Sequence, residues 1–206
     1  MLVLAVERRR DERSFRRPAA AATGLGTAFM CVELALIQRL AFAAGGALYA
    51  VSFVLFCLLA WSAAGALLFA GRWRRLDRGV AWACLVAGIA VTATALAVRD
   101  LEWLDSISSD AGRLALIAAL VAPAGLAIGC PFPVLLSHHG EPTDRIASMW
   151  AVNGAASVAG GIIATLALRV AGATDTLLLA AGVYVAASVL APRRADRDIG
   201  VANVGS

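Results

Sequence analysis

The sequence contains six long apolar runs, separated by short arginine-rich or acidic patches. The runs cover about 19–41, 46–70, 79–98, 114–136, 146–168 and 175–191. Because an α-helix rises 1.5 Å per residue, about 20 apolar residues are enough to cross the hydrocarbon core of a bilayer. The pattern therefore predicts an all-α polytopic bundle of six transmembrane helices embedded in a lipid bilayer.

Composition supports this interpretation. The chain is 61% hydrophobic and 16% charged, whereas average soluble domains are about 45–50% apolar. All 18 basic residues are arginine, and they lie at the ends of the apolar runs. That placement favours a membrane surface over nucleic acid as the partner. The four cysteines lie inside apolar runs without CxxC spacing, so we expect neither a metal site nor a cofactor.

The arginines also predict an orientation. The segments are a basic N-terminal tail at 1–17, a transmembrane domain at 18–192 and a C-terminal tail at 193–206. Six spans place both tails on one side, and most of the arginines then fall on that same side. Since positive residues concentrate in cytoplasmic segments, we expect both termini to be cytoplasmic.

The fourth span contains a break, where GCPFPVLL interrupts the apolar run with Pro131 and Pro133. Each proline lacks a backbone N–H and disfavours helix at the residue before it. We therefore expect the backbone to leave helical geometry between Gly129 and Pro133. Irregular backbone at membrane depth persists only when it is packed inside protein or lines a wet cavity.

Three polar residues inside the spans are candidates for ligand binding. Glu33 is costly in a membrane, so it forms a cation or proton site, pairs with an arginine such as Arg39, Arg113 or Arg169, or is a protonated acid bonded to a neighbouring helix. Gln38 lies near a span end, where a polar side chain costs less. Asn153 either contacts a ligand or hydrogen-bonds carbonyls that the proline break sets free.

Small residues on the fifth span indicate close helix packing. Gly154 and Gly161 lie on one face with Ser157 between them, and Ala156 and Gly160 form a second small pair. Such faces allow another helix to approach closely. They permit a homodimer without requiring one.

Several stretches resemble the C-terminal membrane half of bacterial spermidine-synthase-like integral membrane proteins. They are DERSF at 11–15, GLGTAFMCVELALIQRL at 24–40, GALYAVSFVLF at 46–56, GCPFPVLL at 129–136 and MWAVNGAASVAGG at 149–161. The resemblance implies a bacterial cytoplasmic (inner) membrane location. It also implies a soluble aminopropyl- or methyltransferase-like domain, which binds an S-adenosylmethionine-type cofactor. The residues of this chain at the motif positions of that family are Glu33, Gln38, Pro131, Pro133, Asn153 and Gly154, and the resemblance implies that these are the candidate site residues.

The sequence shows no nucleotide-binding loop and no hydrolase or zinc-protease motif, so we expect no catalytic residue and no activity from this chain alone. The leading hypothesis is a membrane module that binds or passes a small cationic or amphipathic solute. One alternative is a membrane subunit, or a truncated half, of a transferase whose soluble domain lies on another chain. A second alternative is a structural membrane anchor.

Overall fold

The computed structural model describes residues 2–102, 104, 107–139 and 143–191, and of residues 2–14, 47 and 143 the backbone alone. The described part is all-α, as predicted. Its helices are α1 (Leu2–Leu40), α2 (Ala47–Trp73), α3 (Gly79–Ala97), α4 (Asp110–Ile128), α5 (Pro131–His139) and α6 (Thr143–Leu190).

Five helical stretches in the described residues are long and apolar enough to cross a membrane. They are Phe15–Leu40, Leu48–Trp73, Gly79–Ala97, Asp110–His139 and Asp144–Leu190. The first four match the first four predicted spans closely. The predicted count of six differs from these five stretches, because the fifth and sixth predicted runs both fall within α6. The two runs are joined at a kink at Gly172.

The long α6 element nevertheless folds back on itself. Gly172 has φ 83° and ψ 178°, which is far from helical geometry and belongs to a region that glycine tolerates. A straight helix would separate Ser157 from Val183 by about 39 Å. Yet a Cβ on Gly26 would lie 3.0 Å from Ser157 Oγ, and a Cβ on the nearby Gly24 would lie 3.8 Å from Val183. The element therefore has two legs, before and after Gly172, that both pack against α1.

The first helix begins much earlier than the sequence suggested. The basic segment predicted at 1–17 forms part of α1, which is helical from Leu2 onwards, and Pro18 lies buried within this helix. The arginine-rich composition of the segment gave no helical periodicity to detect. The predicted C-terminal tail at 193–206 lies outside the described residues.

Glycines allow the remaining helices to pack closely. A Cβ on Gly65 of α2 would lie 1.9 Å from the carbonyl oxygen of Leu126 in α4. A Cβ on Gly88 of α3 would lie 2.9 Å from the side chain of Val185 in the second leg of α6. The α2–α4 contact cannot accommodate a side chain at Gly65, so these two helices meet backbone to backbone.

The predicted break in the fourth span is confirmed, since α4 ends at Ile128 and α5 begins at Pro131. Its form differs from the expectation, because Pro131 and Pro133 lie in the first turn of α5 instead of outside a helix. That turn tolerates proline because its N–H groups have no intrahelical acceptor. The chain passes between the helices through Gly129, whose φ of −68° and ψ of −18° stay in the right-handed region.

Candidate functional site

A cleft of about 320 Å³ opens beside the break between α4 and α5. We call it the break cleft. It brings together α1, α2, the break itself and both legs of α6. Its lining residues are Leu25, Phe29, Ser62, Ile128, Gly129, Phe132, Pro133, Trp150, Asn153, Ser157 and Tyr184.

Aromatic rings form much of the wall. Phe132 and Trp150 meet edge to face, with ring centroids 4.9 Å apart and planes at 83°. Trp150 is 57% exposed, whereas Tyr184 is 1% exposed. Phe29 of α1 completes the set. Such rings offer both apolar contact area and negative π-faces that attract cations.

The amide of Asn153 is a polar side chain of the break cleft without a protein partner. It makes no hydrogen bond to any residue that the structure describes. Tyr184 also lines the cleft, but its hydroxyl interacts electrostatically with the thiols of Cys31 and Cys84. The expectation that Asn153 bonds the freed carbonyls is not seen. It lies beside the break but is not bonded to it.

Two serines in the lining are already satisfied as donors. Ser62 Oγ donates to the carbonyl oxygen of Leu59 at 3.1 Å, and Ser157 Oγ donates to the carbonyl oxygen of Asn153 at 2.9 Å. Both hydroxyl oxygens keep lone pairs that can accept a hydrogen bond. The serines therefore add acceptors to the cleft and no free donors.

The break leaves backbone carbonyls without their helical partners. In a continuous helix the carbonyl of Gly129 would accept from residue 133, but Pro133 has no N–H. The carbonyl of Ile128 would accept from Phe132, and that bond is not formed in the described structure. Both residues line the break cleft. The C-terminal end of α4 thus presents free carbonyl oxygens at this site.

Glu33 and Gln38 lie away from the break cleft. Glu33 follows Gly26 by seven residues, which places it two turns and about 10 Å further along α1. It is half-buried, and it makes no ion pair or hydrogen bond with the described residues. Gln38 is exposed. The structure therefore brings Asn153 and Pro133 to one site and leaves Glu33 and Gln38 outside it.

Two of the arginines considered as partners for Glu33 have other roles. Arg39 donates from Nε to the carbonyl oxygen of Val98 at 2.7 Å, and from its terminal nitrogen to the carbonyl of Arg99. It thereby caps the C-terminal end of α3, where a cation is favourable. Arg113 forms an ion pair with Asp110 at the start of α4.

The small residues of α6 divide between a packed and an open face. A Cβ on Gly160 would lie 2.7 Å from the Cα of Thr27, so the Ala156–Gly160 pair faces α1. Gly161 approaches the side chain of Met30, at an ordinary 3.7 Å. Gly154 meets nothing within 4 Å and is exposed. Among the residues that the structure describes, Gly154 therefore has no packing partner.

No group of three or more histidine, cysteine, aspartate or glutamate side chains suited to a metal ion occurs in the described residues. His138 instead connects α5 to the linker after α2. Its Nε2 lies 3.1 Å from the carbonyl oxygen of Arg74. Because a carbonyl can only accept, this ring nitrogen carries the proton. His138 and His139 form the C-terminal end of α5.

Sequence reasoning missed Tyr184, Trp150 and Ser62 as members of one site. Tyr184 carried a usable signal, since it is the single aromatic residue in the last predicted run. Trp150 stood inside a motif that we had noted without assigning it a role. Nothing local marked Ser62. Its place depends on α2 packing against α4, where a Cβ on Gly129 would lie 1.9 Å from the Ser62 carbonyl oxygen.

The described residues form five helical stretches that are long and apolar enough to cross a membrane, as in a multi-pass helical membrane protein. An aromatic cleft lies beside the break between two of the helices. Comparison with protein-family models, with curated proteins and with solved structures finds no match to this chain.

Proposed function

We propose that the chain is a multi-pass membrane module that binds a small amphipathic or cationic solute in the break cleft. The observation that carries the proposal is the combination of an aromatic wall with the unpartnered amide of Asn153 and the serine acceptors beside it. Ligand sites typically join a mostly apolar lining to a few such polar groups. A volume of about 320 Å³ suits a small molecule.

Membrane topology forms part of the proposal. Since α6 reverses at Gly172, its two legs act as two crossings, so the helices make six crossings in total. Both ends of the described chain then lie on one side, which the arginine distribution makes the cytoplasmic side of a bacterial inner membrane. Membership of the spermidine-synthase-like family remains a proposal that rests on the sequence motifs.

A second candidate function is favoured by the course of α1. The DERSF motif at 11–15 lies within this helix, which runs without interruption from Leu2 into the first span. A soluble transferase domain contacting this segment would be coupled to the membrane bundle by a continuous helix. Under this proposal the chain is the membrane subunit of an aminopropyl- or methyltransferase, and an S-adenosylmethionine-type cofactor would bind to the partner.

The test measures solute binding by the detergent-purified chain. Thermal unfolding is followed against alkylamines, alkyl alcohols, polyamines and adenosyl cofactors, for the wild-type protein and for two tryptophan variants. Trp150→Ala removes a wall of the break cleft, and Trp82→Ala is the matched control, since Trp82 is 51% exposed and lies outside the cleft. A ligand at 100 times its Kd adds about 2.7 kcal/mol to the free energy of unfolding.

We expect a stabilising shift with a small amphipathic solute that survives in Trp82→Ala and is lost in Trp150→Ala. No shift with any solute would reject the binding module and leave the anchor hypothesis. If adenosyl cofactors alone produced a shift, the transferase subunit would become the better account.

A further inference from the structure

The break cleft contains more hydrogen-bond acceptors than donors, and the two prolines are the reason. The first N–H groups of a helix are normally free and attract anions. In α5 the positions of Pro131 and Pro133 have no N–H, and the N–H of Val134 already donates to the carbonyl of Cys130 at 3.3 Å. Only the N–H of Phe132 remains as a free donor at this helix start.

The opposite helix end keeps its acceptors. The carbonyls of Ile128 and Gly129 close α4, and neither accepts a backbone hydrogen bond from the described residues. The C-terminal end of a helix carries partial negative charge. The pair of prolines thus removes most of the positive end of α5 while leaving the negative end of α4 uncompensated. Discontinuous membrane helices use such carbonyl ends to hold cations.

Side chains strengthen this bias. The Asn153 carbonyl oxygen can accept a hydrogen bond, and the lining contains no charged residue. Without a carboxylate, the cleft compensates one positive charge by dipoles and rings, and it compensates two or more charges poorly. Phe132 and Trp150 provide apolar surface for the remainder of the ligand.

We infer that the polar end of the solute is a single primary ammonium group, held by the carbonyls of Ile128 and Gly129 together with Asn153, and that its alkyl chain lies among the aromatic rings. This inference rests on the proposed function and specifies its ligand class. A primary ammonium presents three N–H donors to these acceptors, as a lysine does. A trimethylammonium group has none, and an alcohol has one donor and no charge.

The experiment compares n-pentylamine, n-pentanol and pentyltrimethylammonium by calorimetric titration of the detergent-purified full chain, with empty micelles subtracted. Pentylamine is protonated at neutral pH, as a lysine side chain is. Because hydrogen bonds to charged groups are worth about 1.5–3 kcal/mol, we expect pentylamine to bind about tenfold or more tightly than either of the other two. Equal affinity for pentylamine and pentanol would overturn the ammonium inference while the proposed function stood. Binding of none of the three would reject the proposed function itself.

Two variants test where the selectivity arises. Pro133→Ala restores an N–H that can occupy the Gly129 carbonyl, and Pro123→Ala is the matched control, since Pro123 lies inside α4 and outside the break cleft. Pro133→Ala should reduce the preference for pentylamine over pentanol by about tenfold, and Pro123→Ala should preserve it.

Asn153→Leu covers the case in which Pro133→Ala closes the cleft to both ligands. It removes the side-chain acceptor and keeps a side chain of similar size. We expect pentylamine to lose several-fold more affinity than pentanol does. If either Pro133→Ala or Asn153→Leu bound pentanol and kept the full preference for pentylamine, or if Asn153→Leu weakened both ligands equally, the ammonium inference would be overturned.

Discussion

Gly26 of α1 lies so close to Asn153 of α6 that a Cβ atom on Gly26 would be 2.4 Å from the Asn153 carbonyl oxygen. Because Asn153 lines the break cleft, this contact with α1 fixes the position of one wall of the cleft. It also joins the first and the last long helices, which are far apart in sequence. The cleft therefore depends on backbone contact between these two helices.

Gly26→Ala should destabilise the protein, because an added methyl group has to displace the backbone of α6. Overpacking of this kind costs about 1–3 kcal/mol, which exceeds the gain of up to about 1 kcal/mol from replacing glycine by alanine in a helix. The matched control is Gly154→Ala on α6, where a Cβ would meet nothing within 4 Å. Thermal unfolding in detergent should show a lower midpoint for Gly26→Ala and an unchanged or higher one for Gly154→Ala. Equal midpoints would mean that the two helices are not in contact at Gly26.

Arg39 should stabilise the end of α3. Arg39→Met removes both hydrogen bonds to the carbonyls of Val98 and Arg99, and we expect a loss of about 1–2 kcal/mol in the free energy of unfolding. Arg99→Met serves as the control, because it keeps the Arg99 carbonyl and removes only an exposed side chain. Chemical denaturation measures the free energy of unfolding of both variants. A loss in Arg99→Met as large as that in Arg39→Met would show that the capping assignment is mistaken.

Glu33→Gln should leave solute binding in the break cleft unchanged, because Glu33 lies about two helical turns from Gly26 and does not line the cleft. Its stability should be equal or higher, since an unpaired carboxylate in a membrane span is costly. Calorimetric titration and thermal unfolding test the two points. Loss of binding in Glu33→Gln would return Glu33 to the site, as the sequence first suggested. A fall in molecular mass by light scattering would assign Glu33 to contact between copies of the chain.

Reversal of α6 at Gly172 predicts where its ends become accessible. Single cysteines introduced at Arg16 and at Leu190 should react with a membrane-impermeant maleimide from the same side, and a cysteine at Arg169 should react from the other side. The four native cysteines are buried and should stay unlabelled. If the cysteines at positions 169 and 190 reacted with the maleimide from the same side, α6 would not cross the membrane twice.

The spans were predictable because a bilayer imposes a length on apolar helices, and 79–98 agrees with α3 to within a residue. The break was predictable because Pro131 and Pro133 cannot donate hydrogen bonds. The direct junction of the two legs of α6 was not predictable, because Arg169 and Asp175 look like the ends of two spans that are separated by more than a single kinked residue. Here Thr176 Oγ1 donates to the carbonyl of Gly172 at 2.7 Å, and helix resumes directly after the bend.

The site was only partly predictable. Asn153 and the proline pair stood out because they are unusual inside apolar runs. Their meeting with Tyr184 depends on the reversal at Gly172, which brings the second leg of α6 back to α1. Glu33 stood out for the same chemical reason as Asn153, but its register on α1 places it outside the cleft. Residue type marked the unusual positions, and three-dimensional packing decided which of them share a site.

The central claim is that the break cleft holds the solute, and photoaffinity labelling tests it most directly. A short alkylamine bearing a diazirine would be crosslinked to the chain in detergent, with and without excess pentylamine, and the modified peptides mapped by mass spectrometry. We predict labels on the peptides that contain Phe132, Trp150 or Tyr184, and we predict that pentylamine removes them. Labels confined to lipid-facing residues such as Leu67 or Val170, or labels that pentylamine does not displace, would contradict the claim.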